Sequence, residues 1–483
     1  MKVNIYLDGK DGVYDSPESF KEMRSNFKFE NPNPNASIFN KYTYPITVQG
    51  RFDVGLYGEI HNFLNDTYGD DFELNIDPDF KSKFTPSIIY GNVETIDGFD
   101  YYYYQLEAIE KSLAFGRGVI SLPTASGKTL VVAGLCKTFL AEYPDSKILI
   151  MVPSISLLTQ TYNEFVNEFD FHDVTRWTGD KKVPSPDFSK SVVISNAQYL
   201  TKDVTRALIQ VKDYDMLIMD EVHTLKKGNK TNKIVHNMTT PNRFGLTGTV
   251  PKNLPDMWNV YGKIGPLIYK KKSSELRETV GSIAEVEVKI IKLTHKKAVP
   301  KYRKKVNEAF RPTGQYIKEM DFLYTSKWRN DFISKITNKL NGNVLILVDR
   351  IAHGEEMVQL LNSSGKKDVR WVCGDIPDEE RQVIFADMEI NDDLAVVAMD
   401  TVFSTGISVK NLKYVVFVCI GKSYTKLLQS IGRSLRLHAN KKRATIFDIS
   451  DHTKYSSDHL LERLEFYKEE EINYEIKDIK ENR

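Results

Sequence analysis

Three short stretches of this sequence carry side chains whose types and spacing suit the chemistry of phosphate groups. The first is Leu122-Pro-Thr124-Ala-Ser126-Gly127-Lys128-Thr129. Where such a stretch opens a helix, backbone N–H groups point at a bound anion, glycine permits close approach, lysine adds a point charge and the hydroxyl can ligate Mg²⁺. Leucine stands at 122, where the full G-x-x-x-x-G-K-[ST] pattern has glycine, so the assignment needs partners elsewhere. The second stretch is Asp220-Glu221-Val-His223. Adjacent carboxylates repel unless a cation or a reaction needs them. Asp220 is therefore expected to hold Mg²⁺, partly through water, Glu221 to polarise an attacking water, and His223 to couple both to Thr247-Gly-Thr249. The third is Gln429-Ser-Ile-Gly-Arg433-Ser-Leu-Arg436, whose two arginines share one face of a helix. A guanidinium facing the γ-phosphate across a cleft neutralises transition-state charge. The competing readings are a structural acidic turn and a solvated arginine face.

These residues need a frame, and the flanking sequence predicts one. Arg117–Leu122 is short, apolar and β-branched, as a strand requires, and Leu130–Ala141 has the pattern of a helix. Strands are predicted at Lys147–Pro153, Ser191–Ser195, Met216–Met219 and up to Gly245–Thr249, with a helix over Ile155–Phe169. Such alternation implies a parallel sheet covered on both faces, with ligands at the carboxyl ends of the strands. A second alternation begins near Met320, with strands at Val344–Val348, Val369–Cys373, Leu394–Ala398, Tyr414–Val418 and Ala444–Phe447, and has no phosphate loop. Tyr104-Gln105, ahead of the loop, offers an amide that could read an adenine edge; an aromatic face packed on the first strand is the alternative for the tyrosines. The expected fold class is α/β, two parallel-sheet domains in tandem after a small α+β domain. The boundaries read as 1–98, 99–282, a basic linker over 283–319, 320–450, and a helical extension over 451–483. In the first segment Thr43–Phe52 reads as strand and Tyr57–Leu64 as helix, and Tyr42, Tyr44, Phe52 and Tyr57 as core or as base-stacking groups.

At 483 residues the chain has room for about three domains. Its 41% hydrophobic and 27% charged residues are those of a globular protein, and no apolar run is long enough to span a bilayer. Cys136, Cys373 and Cys419 are widely spaced, which excludes a disulfide framework or a cysteine metal site and fits a reducing, cytoplasmic compartment. The net charge of +1 conceals an asymmetry: residues 1–100 carry 9 basic and 17 acidic side chains, a balance of −8, against +9 for the remainder. A polyanion would bind the later part.

Taken in order, Ser126-Gly-Lys-Thr129, Val152-Pro153-Ser-Ile-Ser-Leu-Leu-Thr159-Gln160, Asp220-Glu-Val-His223, Leu246-Thr-Gly-Thr249, Val402–Ser408 and Gln429–Arg436 resemble the successive motifs of superfamily 2 helicases of the DExH type. Phe403–Leu412 and the stretch from Arg463 to Tyr474 resemble the UvsW family of bacteriophage helicases. The resemblance runs from about Tyr104 to the end of the chain. It implies two RecA-like domains and an ATP- and Mg²⁺-dependent enzyme that unwinds or branch-migrates DNA at R-loops, Holliday-type junctions and stalled forks, in recombination, repair and replication. It implies catalysis by Lys128, Asp220, Glu221, Arg433 and Arg436, and nucleotide binding by Tyr104, Gln105, Thr124, Ser126, Gly127, Lys128, Thr129, Gly406 and Gln429. Pro153, Thr159, Gln160, His223, Thr247, Thr249 and Thr405 would couple the nucleotide to nucleic acid. Recombination and single-strand-binding proteins are the implied protein partners, and the cytoplasm of an infected bacterium the implied location. An RNA helicase and a non-hydrolysing clamp on branched DNA are the rival readings. Gln429, where DEAD-type helicases usually carry histidine, argues against the first, and the complete catalytic set against the second.

Overall fold

The computed structural model describes the chain except residues 31–40, 85–88, 90–91, 124–125, 181–182, 212–213, 252, 273–274, 277–284, 301–312, 404–410, 419–442, 470 and 482–483. Two compact units divide it, Met1–Lys271 and Lys272–Arg483.

The first unit is built on seven strands, all parallel, in the spatial order Leu267–Lys270, Arg117–Ser121, Asn242–Thr247, Met216–Asp220, Ile148–Val152, Val192–Asn196 and Val174–Trp177. Runs such as Ile-Leu-Ile-Met-Val152 are buried along their whole length, as strands covered on both faces must be. Their carboxyl ends share one edge, where every motif of the first unit emerges.

Residues 1–84 add a smaller sheet in the order Arg51–Asp53, Asp11–Asp15, Lys2–Asp8, Glu73–Ile76. The expected strand over Thr43–Phe52 forms only at Tyr42–Thr43 and Arg51–Asp53. Between them the Thr47 hydroxyl accepts the Arg51 N–H at 3.0 Å, and Gly50 has φ +77°, so the chain turns. Phe52 is core, Tyr57 is half-buried, and Tyr42 is exposed. This region shares its core with the large sheet. One apolar core runs from Val3 and Phe27 through Ile60 to Val260 and Ile264, and Phe27 packs on Trp258 at 5.1 Å. The helices Lys230–Asn237 and Leu254–Lys263 end beneath the sheet. Arg117 caps the second through the carbonyls of Ile264 (2.7 Å) and Lys263 (3.3 Å); Arg243 caps both through Val235, Met238 and Lys263. Burial lowers both guanidinium pKa values, to about 9 for Arg117 and about 10 for Arg243. Asp53, from the smaller sheet, is their counter-charge and is bonded directly to the Lys263 ammonium.

In the second unit seven parallel strands run Asp368–Val372, Leu394–Met399, Val344–Val348, Tyr414–Phe417, Arg443–Asp451, Glu285–Thr294 and Asn473–Lys480. Two boundaries are corrected here. The expected linker begins with a sheet strand, Glu285–Thr294, whose lysines alternate with buried Val288, Ile290 and Leu293. The expected helical extension is the helix Lys454–Glu469 followed by the edge strand Asn473–Lys480. In Glu285–Thr294 charged side chains between the core positions hid the strand pattern, and Asn473–Lys480 buries none of its residues fully. Among the described residues no helix is long and apolar enough to cross a membrane.

Burial would raise the Asp53 pKa, but the His236 hydrogen bond and the Lys263 ammonium reverse this and bring it to about 2. A depressed folded-state value stabilises above the unfolded pKa and is lost as pH falls through the folded one. Asp53→Asn should therefore cost on the order of 2 kcal/mol at neutral pH, its side chain being 26% exposed and partly screened. In denaturant titrations the gap from wild type should close as pH drops from about 4 to about 2.

Candidate functional site

Along the carboxyl edge of the first sheet the motifs stand in spatial order: the loop after Ser121, then Thr247, Asp220 and Val152–Pro153. Thr247 pairs with Ser121 in register, and its carbonyl accepts the Leu122 N–H at 3.0 Å. Two neighbouring strands thus fix where the loop departs.

The helix Lys128–Glu142 opens directly from the loop, with Gly127 in the left-handed region at φ 74°, ψ 38°. A Cβ there would lie 2.4 Å from the Gln105 amide nitrogen. Gln105 and Tyr104 both hold the loop: Nε2 and the phenol O–H each donate to the Ser126 carbonyl at 2.9 Å. The Gln105 carbonyl oxygen accepts the Tyr102 N–H at 3.0 Å, so both ends of the amide are engaged within the chain. What these buried residues do here is position the loop. Burial, with Tyr102 and Tyr103 nearby, pushes the Tyr104 phenol well above its ordinary pKa. The Ser126 hydroxyl closes on the Pro123 carbonyl at 2.7 Å. The Lys128 ammonium donates to the carbonyls of Leu122 and Pro123, both at 3.3 Å, and Thr129 is half-buried beside it. Thr124 lies outside the described residues.

Asp220 is the last residue of its strand, and its Oδ1 accepts the Glu221 N–H at 2.9 Å. Glu221 itself sits at φ 50°, ψ 49°, a left-handed conformation that costs a non-glycine residue about 1–3 kcal/mol. That turn places its carboxylate Oε2 3.2 Å from His223 Nδ1. The same ring nitrogen is 2.9 Å from the Thr247 hydroxyl. Thr247 Oγ1 donates to the Thr249 carbonyl at 2.8 Å and accepts the Thr249 N–H at 3.2 Å. His223, Thr247 and Thr249 thus form a hydrogen-bonded chain along the sheet edge, with the Glu221 carboxylate beside its His223 end. Elsewhere Asp11, Asp53 and His236 also converge, but the Lys263 ammonium bonds two of them and fills the cationic place itself.

Pro153 leads into the helix Ile155–Asn163, capped by the Ser154 hydroxyl on the Leu157 N–H at 3.2 Å. Thr159 and Gln160 lie on that helix, and Gln160 Nε2 donates to Glu164 at 2.7 Å. Asn196, absent from the sequence expectations, ends the next strand on the same edge, 1% exposed and with Oδ1 buried. Its signal is the polar pair Ser195-Asn196 directly after the apolar run Val192–Ile194. Thr405, Gly406, Gln429, Arg433 and Arg436 lie outside the described residues.

Residues 98–252 match the family profile described as type III restriction enzyme, res subunit, and residues 328–438 that of the helicase conserved C-terminal domain. The ATP-dependent DNA helicase uvsW of phage T4 is 28% identical over 95% of this chain and 96% of its own. The DNA 3'-5' translocase XPB2 of Sulfurisphaera tokodaii is 28% identical over 45% of this chain and 47% of its own. The Hef helicase domain of Pyrococcus furiosus shares the fold, with a TM-score of 0.53 at 16% identity, covering 77% of this chain and all of that one.

Gly127→Ala meets both the Gln105 amide and a backbone region that L-residues disfavour. Titration with a fluorescent ATP analogue should show at least about tenfold weaker binding, with the melting temperature little changed. Wild-type affinity would mean that the loop does not depend on this close approach.

Proposed function

We infer, from the premise that this chain is a superfamily 2 ATP-dependent helicase, that it is a DNA translocase remodelling branched substrates such as forks, four-way junctions and R-loops. The observation that carries this reading is the hydrogen-bonded chain His223–Thr247–Thr249, whose His223 end lies 3.2 Å from the Glu221 carboxylate. It joins the acidic pair to the rest of an edge that also presents Pro153, Thr159 and Gln160. A change in charge at the acidic pair is thereby felt along the surface assigned to nucleic acid. The similarity to a phage DNA helicase over almost the whole of both chains supports DNA as the polymer.

In this reading the loop amides and Lys128 would bind the β- and γ-phosphates, and Thr129 and Asp220 would hold Mg²⁺, which would offset phosphate charge. Glu221, oriented by its turn and by His223, accepts the proton of the attacking water as the terminal phosphoryl group departs to that oxygen. Arg433 and Arg436, carried by the second unit, stabilise the developing charge, with Gly406 and Gln429 completing the nucleotide contacts. Contacts to the sugar-phosphate backbone make binding tolerant of sequence and steeply salt-dependent.

Glu221→Gln should retain ATP binding and lose at least about 100-fold in DNA-stimulated kcat. Arg433→Ala should lower kcat by about 10³-fold with little change in ATP affinity; an unchanged kcat would remove the arginine assignment. Unwinding assays on forked DNA, four-way junctions, R-loops and duplex RNA test the substrate. Preference for duplex RNA would overturn the DNA reading, and equal activity on linear and branched duplexes the branched one.

A further inference from the structure

The second unit contains a buried cation for which stability gives a poor account. Arg329, on the helix Lys327–Thr337, is 2% exposed. Its Nε donates to both carboxylate oxygens of Asp451, at 3.2 and 3.0 Å, and an Nη donates to the Val418 carbonyl. His295, just after Glu285–Thr294, closes the cluster with Nε2 2.7 Å from Asp451. Replacing a buried ion pair with well-packed apolar groups is often neutral or stabilising. What apolar groups could not do is tie three strand ends together, and the planar fork of an arginine can. Asp451 ends one strand, Val418 follows its neighbour Tyr414–Phe417, and His295 follows the next strand across.

Val418 is also where the chain leaves the sheet toward Gln429, Arg433 and Arg436. We propose that Arg329 is a positioning residue for ATP hydrolysis: by holding the Val418 carbonyl against Asp451 it sets the departure point of the segment that carries the catalytic arginines. The inference rests on the reading that Arg433 serves hydrolysis. Arg329 itself touches no reacting atom.

A second buried pair in the same unit serves as a structural control. Arg463 binds Asp448, on the same strand as Asp451, at 2.8 and 3.0 Å, with the Tyr467 O–H on the same carboxylate at 2.9 Å. This group ties the helix Lys454–Glu469 to the sheet and holds no strand end.

The test is a double-mutant cycle on the full chain, reading DNA-stimulated kcat, KM for ATP and melting temperature. Arg329→Lys keeps the charge but loses the fork, and should lower kcat roughly 10–100-fold, as a small misplacement of a catalytic group does, with KM within about twofold. In an Arg433→Ala background the same change should cost less than about twofold more, because the group it positions is gone. Arg463→Lys should lower the melting temperature without any such coupling. Asp451→Asn, which keeps the side-chain shape, runs through the same cycle with the same expectation should Arg329→Lys fold poorly. Losses that multiply across the cycle, or a wild-type kcat for both Arg329→Lys and Asp451→Asn, overturn the positioning role while leaving Arg433 in place. A wild-type kcat for Arg433→Ala overturns the underlying reading instead, and the inference with it.

Discussion

An all-parallel sheet has one edge at which every strand ends, and the motifs of the first unit emerge along it. Strand order then decides which groups are neighbours. Because Asn242–Thr247 lies between Arg117–Ser121 and Met216–Asp220, the Thr247 backbone faces the phosphate loop while its hydroxyl faces the acidic turn. One residue therefore meets both the loop and the acidic turn. The polar chain through His223 follows from that adjacency, and a different strand order would break it without altering any motif.

Fixing the loop calls on groups far from it in sequence. Tyr104 and Gln105 converge on a single carbonyl, that of Ser126, and leave room only for a glycine at 127. Beneath the sheet, two guanidinium groups are tolerated in the interior because each faces helix carbonyls that carry partial negative charge. Asp53 completes the balance from a separate sheet. The acidic character of the first hundred residues thus has at least one defined structural use, quite apart from any binding partner.

Much of this was legible in the sequence. Strands such as Val344–Val348 and the run Met216–Met219 announce themselves because burial on both faces leaves no position for a polar side chain. The loop and the acidic turn are readable because their chemistry tolerates few residue types. Glu285–Thr294 was obscured because its lysines alternate with core residues at a sheet margin, where one face stays wet. Asn473–Lys480, the outermost strand, carries even less apolar signal. The contact of Tyr104 and Gln105 with Ser126 was out of reach, since no local pattern states which carbonyl a buried amide will find. The same holds for Asp53, whose partners lie some two hundred residues away.

The continuous core between the first hundred residues and the underside of the large sheet bears on how such proteins diverge. Gly55 lies so close to the backbone of Tyr261 and Gly262 that a methyl group there would meet the Tyr261 carbonyl at 2.1 Å. Neither surface can drift without the other. The amino-terminal region therefore cannot be shuffled among homologues as a cassette; a viable chimera would have to exchange it together with the helix Leu254–Lys263 on which it was moulded.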